Sequence, residues 1–255
     1  MSEVNNPNPI WNFKYWLIDQ NSSIWQQMHD PIKTRETERQ TILTASQIAN
    51  IFGYGFETRL KYYNKLICNM KLEENKPEIN DYFKEKAITH GKENEWLAKE
   101  SFRSLFPSIK ITTPGMIFHR HFNFIAASLD AVGLDVNNNE LVVVETKCPF
   151  RARPTAVWDI KENYLIQITV QMACVDLKVA YLHYWWEDET TDEPRYITFK
   201  IPFDETFWNY IIAGATNFKQ NVDFRQSVPL RQKKDERLIV IIDNLRTNIK
   251  VVDRK

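Results

Sequence analysis

The sequence predicts an α+β protein in which a mixed β-sheet is flanked by helices. Two observations support this fold class. Helical and strand-like segments follow one another in the order helix, strand–strand, helix, strand–strand. Apolar residues make up 43% of the 255 residues, with eight Trp and fifteen Phe, which is enough for a substantial core. The formal net charge is zero, which argues against a protein that coats nucleic acid indiscriminately.

The N-terminal part of the chain is predicted to be helical. Either Thr44 or Ser46 is suited to cap a short helix that continues to Phe52. A later helix is expected over 93–106, because apolar residues recur there at helical spacing until Pro107. The remaining assignments are helical pieces in 1–40, a helix over 57–70 and a loop over 71–77.

The C-terminal part is predicted to alternate strands with helices. The strand-like segments are rich in β-branched and aromatic residues, and turn-forming or acidic residues separate them. Asp204 is suited to cap a final helix that runs to about Asn221. The predicted strands are 116–127, 141–146, 179–186, 195–201 and 238–242, and a further helix is predicted over 155–177.

A β-hairpin is predicted around three consecutive asparagines that precede a run of valines. If Asn137-Asn138 forms the turn, counting outward places Asp130 directly opposite Glu145, with Cβ atoms ~4.5–5.5 Å apart. Lys147 lies two residues beyond Glu145 on the same face of the strand. A three-residue turn would move Asp130 to the other face unless a bulge, for which Gly133 is suited, intervened.

This arrangement of residues suits a divalent-metal site for phosphodiester hydrolysis. Asp130 and Glu145 would supply hard oxygen ligands, and the backbone carbonyl of Thr146 is placed to join them. Lys147 would orient the attacking water and stabilise negative charge on the phosphate. The alternative interpretation is a surface hairpin with an ordinary Glu/Lys ion pair, because short patterns of this kind occur often by chance.

Four blocks of sequence extend this pattern between residues 39 and 172. They are Arg39 with Thr44-Ala45-Ser46, Gly91 through Glu95, Asp130 with Glu145-Thr146-Lys147-Cys148-Pro149, and Tyr164 three residues before Gln167, with Met172. In these blocks the sequence resembles the lambda-type exonucleases, also called viral recombinase nucleases, a branch of the PD-(D/E)XK nuclease superfamily. The resemblance implies a restriction-endonuclease-like core within one nuclease domain. That domain would comprise an N-terminal arm (1–40), the core (41–221) and a basic C-terminal extension (222–255).

The resemblance also implies roles for individual residues. Arg39 and Ser46 would bind a 5′-phosphate. Glu95 would join Asp130, Glu145 and the Thr146 carbonyl in holding Mg²⁺, with Mn²⁺ as an alternative, and Lys147 would act on the water. The family's active-site glutamine aligns with Thr169, and its neighbours Gln167 and Gln171 share a helix face that Thr169 does not. We therefore expect Gln167 or Gln171 to fill that role, with Gln167 preferred, or Thr169 to replace the amide.

The function implied by the resemblance is Mg²⁺-dependent degradation of linear double-stranded DNA from its ends in the 5′→3′ direction. Family members form rings, commonly trimers, and work with a single-strand annealing protein, as suits viral recombination. Two alternatives remain open: an endonuclease or nickase of the same superfamily, and a DNA-binding protein whose site has decayed. Three scattered cysteines and the lack of a signal peptide or membrane span predict a soluble intracellular protein, in the host cytoplasm or nucleus if viral.

Overall fold

The computed structural model describes residues 42–68, 79–151, 153–226 and 234–255. The predicted N-terminal arm, Arg39 and the predicted loop over 71–77 lie outside these residues. Nine strands and six α-helices form within the described ranges. In chain order they are β1 (Leu43–Thr44), α1 (Ala45–Ile48), α2 (Arg59–Cys68), α3 (Ile79–Leu105), β2 (Ile109–Thr112), β3 (Met116–Phe118), β4 (Ile125–Ser128), β5 (Ala131–Asp135), β6 (Glu140–Lys147), α4 (Glu162–Val175), β7 (Val179–Glu187), β8 (Pro194–Pro202), α5 (Glu205–Asp223), α6 (Glu236–Asn248) and β9 (Lys250–Arg254).

The larger sheet has six strands in the order β2-β5-β6-β7-β8-β9. All neighbours in it are antiparallel except β6 and β7, which are parallel and are connected through α4. A parallel pair needs such a crossover, and the crossover helix covers one face of the sheet. The predicted α+β class with a mixed sheet flanked by helices is confirmed.

A second sheet of three strands has the order β1-β4-β3. The sequence predicted one long strand over 116–127, but the chain reverses between β3 and β4, which pair antiparallel. His119 explains the reversal, because its Nδ1 accepts hydrogen bonds from the backbone N–H groups of His121 and Phe122 at 3.1 and 3.2 Å. Its ring also stacks on Trp208 of α5, with ring centroids 5.2 Å apart.

Helix α4 lies at the centre of the main core. Leu165, Ile166, Ile168 and Val170 are fully buried, and α4 packs against α1, β4 and the larger sheet. A helix with apolar residues on most sides is expected to be enclosed in this way. The position of α4 matters for function, because its remaining face is directed toward the end of β6.

The end of the chain differs most from its prediction. The segment 238–242 was predicted as a strand, yet it belongs to helix α6, which Asp235 caps by accepting from the backbone N–H of Leu238 at 3.2 Å. Its β-branched run suggested a strand, but the buried residues Leu238, Ile242 and Leu245 follow helical spacing. Strands β1, β2 and β9 were not predicted.

The predicted helix boundaries were partly correct. Asp204 caps α5 as expected, accepting from the backbone N–H of Phe207 at 2.8 Å. Helix α3 starts at Ile79, well before the predicted residue 93, and α4 starts at Glu162 after a 3-10 turn at Val157–Asp159. Thr44 occupies the cap position of α1 without a side-chain cap bond. No helix among the described residues is long and apolar enough to cross a membrane.

Candidate active site

The hairpin of β5 and β6 has the predicted register. Its pairs run from Ala131 opposite Val144 to Asp135 opposite Glu140. Extending this register by one residue places Asp130 opposite Glu145. The turn is longer than the two residues predicted: it spans 136–139 and carries a left-handed residue at its end, Asn139 with φ 52°. Adding two residues to a two-residue turn keeps the same faces aligned, so the carboxylate pair is retained.

Asp130 is fixed at the end of β6 by Thr146. Its Oδ2 accepts from the backbone N–H of Thr146 at 2.7 Å and from the Thr146 hydroxyl at 2.8 Å. Thr113 donates in addition to the backbone carbonyl of Asp130 at 3.1 Å. Asp130 thus lies just before β5, and contacts of both its side chain and its backbone determine its orientation.

Glu145 is almost fully buried beneath α4, with 1% of its side chain exposed. Its Oε1 accepts from Gln167 Nε2 at 2.7 Å and from Lys147 Nζ, while its Oε2 accepts from Gln171 Nε2 at 2.7 Å. Gln171 also donates to the backbone carbonyl of Ser128 at 3.1 Å. A buried carboxylate needs this many donors, because an unpaired one would be strongly destabilising.

The helix-borne amides occupy the positions that helical geometry predicts. Gln167 and Gln171 lie four residues apart on one face of α4 and both contact Glu145. Thr169 lies elsewhere on the helix, is fully buried, and its hydroxyl has no hydrogen-bond partner among the described residues. The structure thus brings both glutamines to the acid and leaves Thr169 away from it.

The environment of Glu145 changes its proton affinity. Burial, and then the charge of Asp130, raise the pKa of Glu145 from 4.5 to about 7, although Lys147 and Gln171 act in the opposite direction. Burial lowers the pKa of Lys147, but the carboxylates of Glu145 and Asp130 outweigh it and raise the pKa above its ordinary value. Lys147 therefore stays cationic, and its ammonium lies 4.9 Å from the centre of the Tyr164 ring.

A cleft of about 1020 Å³ lies beside these residues. Asp130, Thr146 and Lys147 line it on one side, and α3 contributes another wall. Five lining residues are basic and three are acidic: Lys92, Lys147, Arg151, Arg153 and Lys161 against Glu95, Asp130 and Asp159. A chain with zero net charge thus has an excess of positive charge in its cleft, which favours an anionic ligand.

Two other predicted site residues, Glu95 and Ser46, differ in their relation to the cleft. Glu95 lines the cleft from α3, where it forms an ion pair with Lys99 at 2.6 Å. Its charge, like that of Asp130, acts on Cys148: burial first, and then these two acids, raise the pKa of the Cys148 thiol to about 12. Ser46 is exposed at the start of α1 and is not among the cleft-lining residues.

Sequence reasoning did not identify Tyr184 as part of the cleft. Tyr184 lies on β7 opposite Lys147, and its ring packs edge-on against Tyr164 with centroids 6.3 Å apart. Its hydroxyl is buried and has no hydrogen-bond partner among the described residues. Only the register between the parallel strands β6 and β7 brings this residue to the site, and a single sequence does not contain that information.

The donor set fits a hard divalent cation such as Mg²⁺. The described residues contain no group of three His, Cys, Asp or Glu side chains close enough to enclose a metal. Mg²⁺ does not require one, since it is often bound by one or two carboxylates together with waters and substrate phosphates. Asp130 and Glu145 supply two carboxylates. Burial, and then the charge of Asp130, raise the pKa of Glu145, and a cation between the two carboxylates would favour the ionised form of both.

The sequence matches the model of the YqaJ-like viral recombinase domain over residues 25–178. This match covers more than half of the chain and contains every residue of the site described above except Tyr184. The chain belongs to the YqaJ-like viral recombinase family. The predicted resemblance to viral recombinase nucleases is therefore confirmed. A search of the curated proteins finds no match.

Two solved structures of one exonuclease share the fold of this YqaJ-like protein. An alkaline exonuclease, LHK-Exo, from Laribacter hongkongensis superposes with a TM-score of 0.58 at 18% identity, covering 88% of this chain and 100% of that one. The same exonuclease in complex with dAMP gives 0.57 at 19% identity, covering 80% and 94%. A phage-related exonuclease from Haemophilus somnus 129PT gives 0.49 at 15% identity, covering 80% and 97%. The first two matches place the chain in the restriction-endonuclease-like fold.

Proposed function

We propose that this YqaJ-like protein is a metal-dependent deoxyribonuclease that degrades linear double-stranded DNA from its ends in the 5′→3′ direction. The observation that carries the proposal is the cluster of Asp130, Lys147 and the buried Glu145 beside a cleft in which basic lining residues outnumber acidic ones. Family membership supports a nuclease that acts on DNA, and the similar fold of an alkaline exonuclease supports attack at DNA ends.

In the proposed mechanism Asp130 and Glu145 would hold the cation, assisted by the Thr146 carbonyl and by Glu95, which also lines the cleft. Bound Mg²⁺, or Mn²⁺, would supply electrostatic stabilisation of the phosphate oxygens. Thr146 keeps Asp130 oriented, and Gln167 and Gln171 keep Glu145 oriented, so neither carboxylate has to reorganise during the reaction.

Lys147 is the residue proposed to act on the attacking water. It is the residue two positions beyond Glu145, and the neighbouring carboxylates keep it protonated. A protonated lysine orients a water molecule by hydrogen bonding and stabilises the charge that develops on the phosphate. The Lys147 ammonium lies beside the carboxylate of Glu145, which places it next to the site where a cation would be held.

End specificity is assigned to Arg39 and Ser46, which would bind the 5′-phosphate. An arginine presents a planar fork suited to a terminal phosphate, and Ser46 lies in the first turn of α1. Strands β1 and β4 are parallel, so their C-terminal ends lie at the same end of the small sheet. Helix α1 follows β1 there, and Asp130 follows β4. We further propose a ring-shaped homo-oligomer, with the trimer as the form that the resemblance implies. It would cooperate with a single-strand annealing protein, in the host cytoplasm or nucleus if the protein is viral.

The decisive experiment compares linear duplex DNA with covalently closed circular DNA, each incubated with the protein in Mg²⁺ or in chelator. The proposal expects degradation of the linear DNA only, dependence on Mg²⁺, and faster degradation when the 5′ ends carry phosphate. Glu145→Gln, which keeps the size of the side chain, should be inactive. Rapid cutting of the closed circle would favour an endonuclease, and no degradation of either DNA would favour a DNA-binding protein with a decayed site.

A further inference from the structure

One cation of the cleft is held by an acidic residue from outside it. Arg153 lines the cleft, yet its Nη2 donates to Glu189 Oε1 at 2.7 Å. Glu189 lies in the loop between β7 and β8 and is 76% exposed, whereas the Arg153 side chain is 28% exposed. The guanidinium is therefore shared between the cleft and a loop that is not part of the cleft lining.

We propose that Arg153 binds a backbone phosphate of the DNA substrate and that Glu189 competes with the phosphate for this arginine. The proposal rests on the proposed function in one respect, namely that the cleft takes DNA. It adds a specific phosphate contact and an internal competitor. DNA binding at Arg153 then requires that the phosphate bind the guanidinium more tightly than Glu189 does.

The placement of Arg153 suits a phosphate contact. It follows Lys147 by six residues, in the segment that leaves β6 along the cleft, and Lys161 lies on the same cleft. Its Nε is buried and has no hydrogen-bond partner among the described residues, so Glu189 does not use the full hydrogen-bonding capacity of the guanidinium. A planar guanidinium binds phosphate through two parallel hydrogen bonds, which a single carboxylate oxygen does not satisfy.

Glu189 differs from the other acids of its loop in what it contacts. Asp188 accepts from Thr190 and pairs with Arg195, and Glu193 pairs with Lys255. Among the described residues, Glu189 is the acid of this loop that pairs with a cleft residue. Because it is largely exposed, the ion pair contributes little stability and can be exchanged for a phosphate without a large loss.

The test measures DNA binding without cleavage. Fluorescence anisotropy of a labelled duplex is recorded in chelator over a range of salt concentrations. The variants are Arg153→Gln, Glu189→Gln and the two combined. The matched control is Asp192→Asn, which removes a charge from the same loop at a position with φ 53°, where asparagine is well tolerated.

The expected results differ among the variants. Glu189→Gln tightens DNA binding roughly twofold to fivefold, because it removes the exposed carboxylate that competes with the phosphate for Arg153. Arg153→Gln weakens binding and lowers the salt dependence of log K by about one, as the loss of one phosphate contact requires. The double variant binds like Arg153→Gln, and Asp192→Asn binds more nearly like the wild type than Glu189→Gln does.

Two results would overturn the inference. Equal tightening by Glu189→Gln and Asp192→Asn would mean that the loop acts only through its total charge. An unchanged salt dependence in Arg153→Gln would mean that Arg153 does not contact phosphate. A wild-type protein that binds duplex DNA but never cleaves it would refute the proposed nuclease function and would leave this binding test fully interpretable.

Discussion

The raised pKa of Glu145 predicts a specific loss of stability in the metal-free protein as the pH rises. The ordinary pKa of this carboxyl is 4.5, and burial followed by the charge of Asp130 raises it to about 7 in the folded state. The folded protein therefore binds a proton more tightly than the unfolded chain. The contribution of the group is fully present below pH 4.5 and is lost as the pH rises through about 7.

The magnitude follows from the difference between the two pKa values. A rise in the pKa of Glu145 from 4.5 to about 7 corresponds to ~3 kcal/mol in the free energy of unfolding. Solvent screening does not reduce this value, because the side chain is 1% exposed. The assay is chemical denaturation in chelator at a series of pH values, for the wild type and for Glu145→Gln. We expect the free energy of unfolding of the variant, relative to wild type, to rise by about this amount between pH 4.5 and pH 8.

Two controls complete this prediction. Glu100→Gln removes an exposed acid of α3 and should show no comparable dependence on pH. Mg²⁺ added to the wild type should restore stability above pH 7, because a cation favours the ionised carboxylates that burial disfavours. A constant difference between wild type and Glu145→Gln across the whole pH range would refute the reasoning.

Three further predictions concern single side chains. Lys147→Met should lower the rate of DNA degradation by roughly 10²–10³-fold while the protein remains folded, which circular dichroism and a nuclease assay would show together. Gln171→Ala should destabilise the fold by about 1–3 kcal/mol in denaturation and more than Gln167→Ala, because Gln171 is fully buried and donates to two acceptors. Thr169→Val should retain activity and equal or exceed the wild-type stability, because it removes a buried hydroxyl without a partner among the described residues. A large loss of activity would show that Thr169 does take the glutamine role.

The sequence predicted local features of the site well and long-range ones poorly. The pairing of Asp130 with Glu145 depends only on a turn and on strand alternation, so counting residues was sufficient. The choice between Gln167, Gln171 and Thr169 depends on the rotation of α4 about its axis. That rotation is set by packing against α1 and the sheet, and no single sequence specifies it.

The same distinction explains the errors in the fold. The run from Ile239 to Ile242 is β-branched and read as a strand, but burial of one helical face decided its structure as α6. The split between β3 and β4 arises from the hydrogen bonds of His119, which an apolar run does not reveal. Strand β9 forms through pairing with β8, a contact about fifty residues distant in the sequence.

The repulsion between the Asp130 and Glu145 carboxylates argues against the alternative of a surface hairpin with an ordinary Glu/Lys ion pair. A surface hairpin would gain from an exposed Glu/Lys pair, whereas here Glu145 is buried beside a second acid and its pKa is raised to about 7. Such an arrangement lowers the stability of the metal-free protein, so packing alone does not account for it. Two amides and a lysine hold the acid in this unfavourable position, at the edge of a cleft with an excess of basic residues. A site that binds a cation together with a phosphate would account for both the acidic pair and the basic surroundings, because the cation would offset the repulsion between the carboxylates and the phosphate would pair with the basic residues of the cleft.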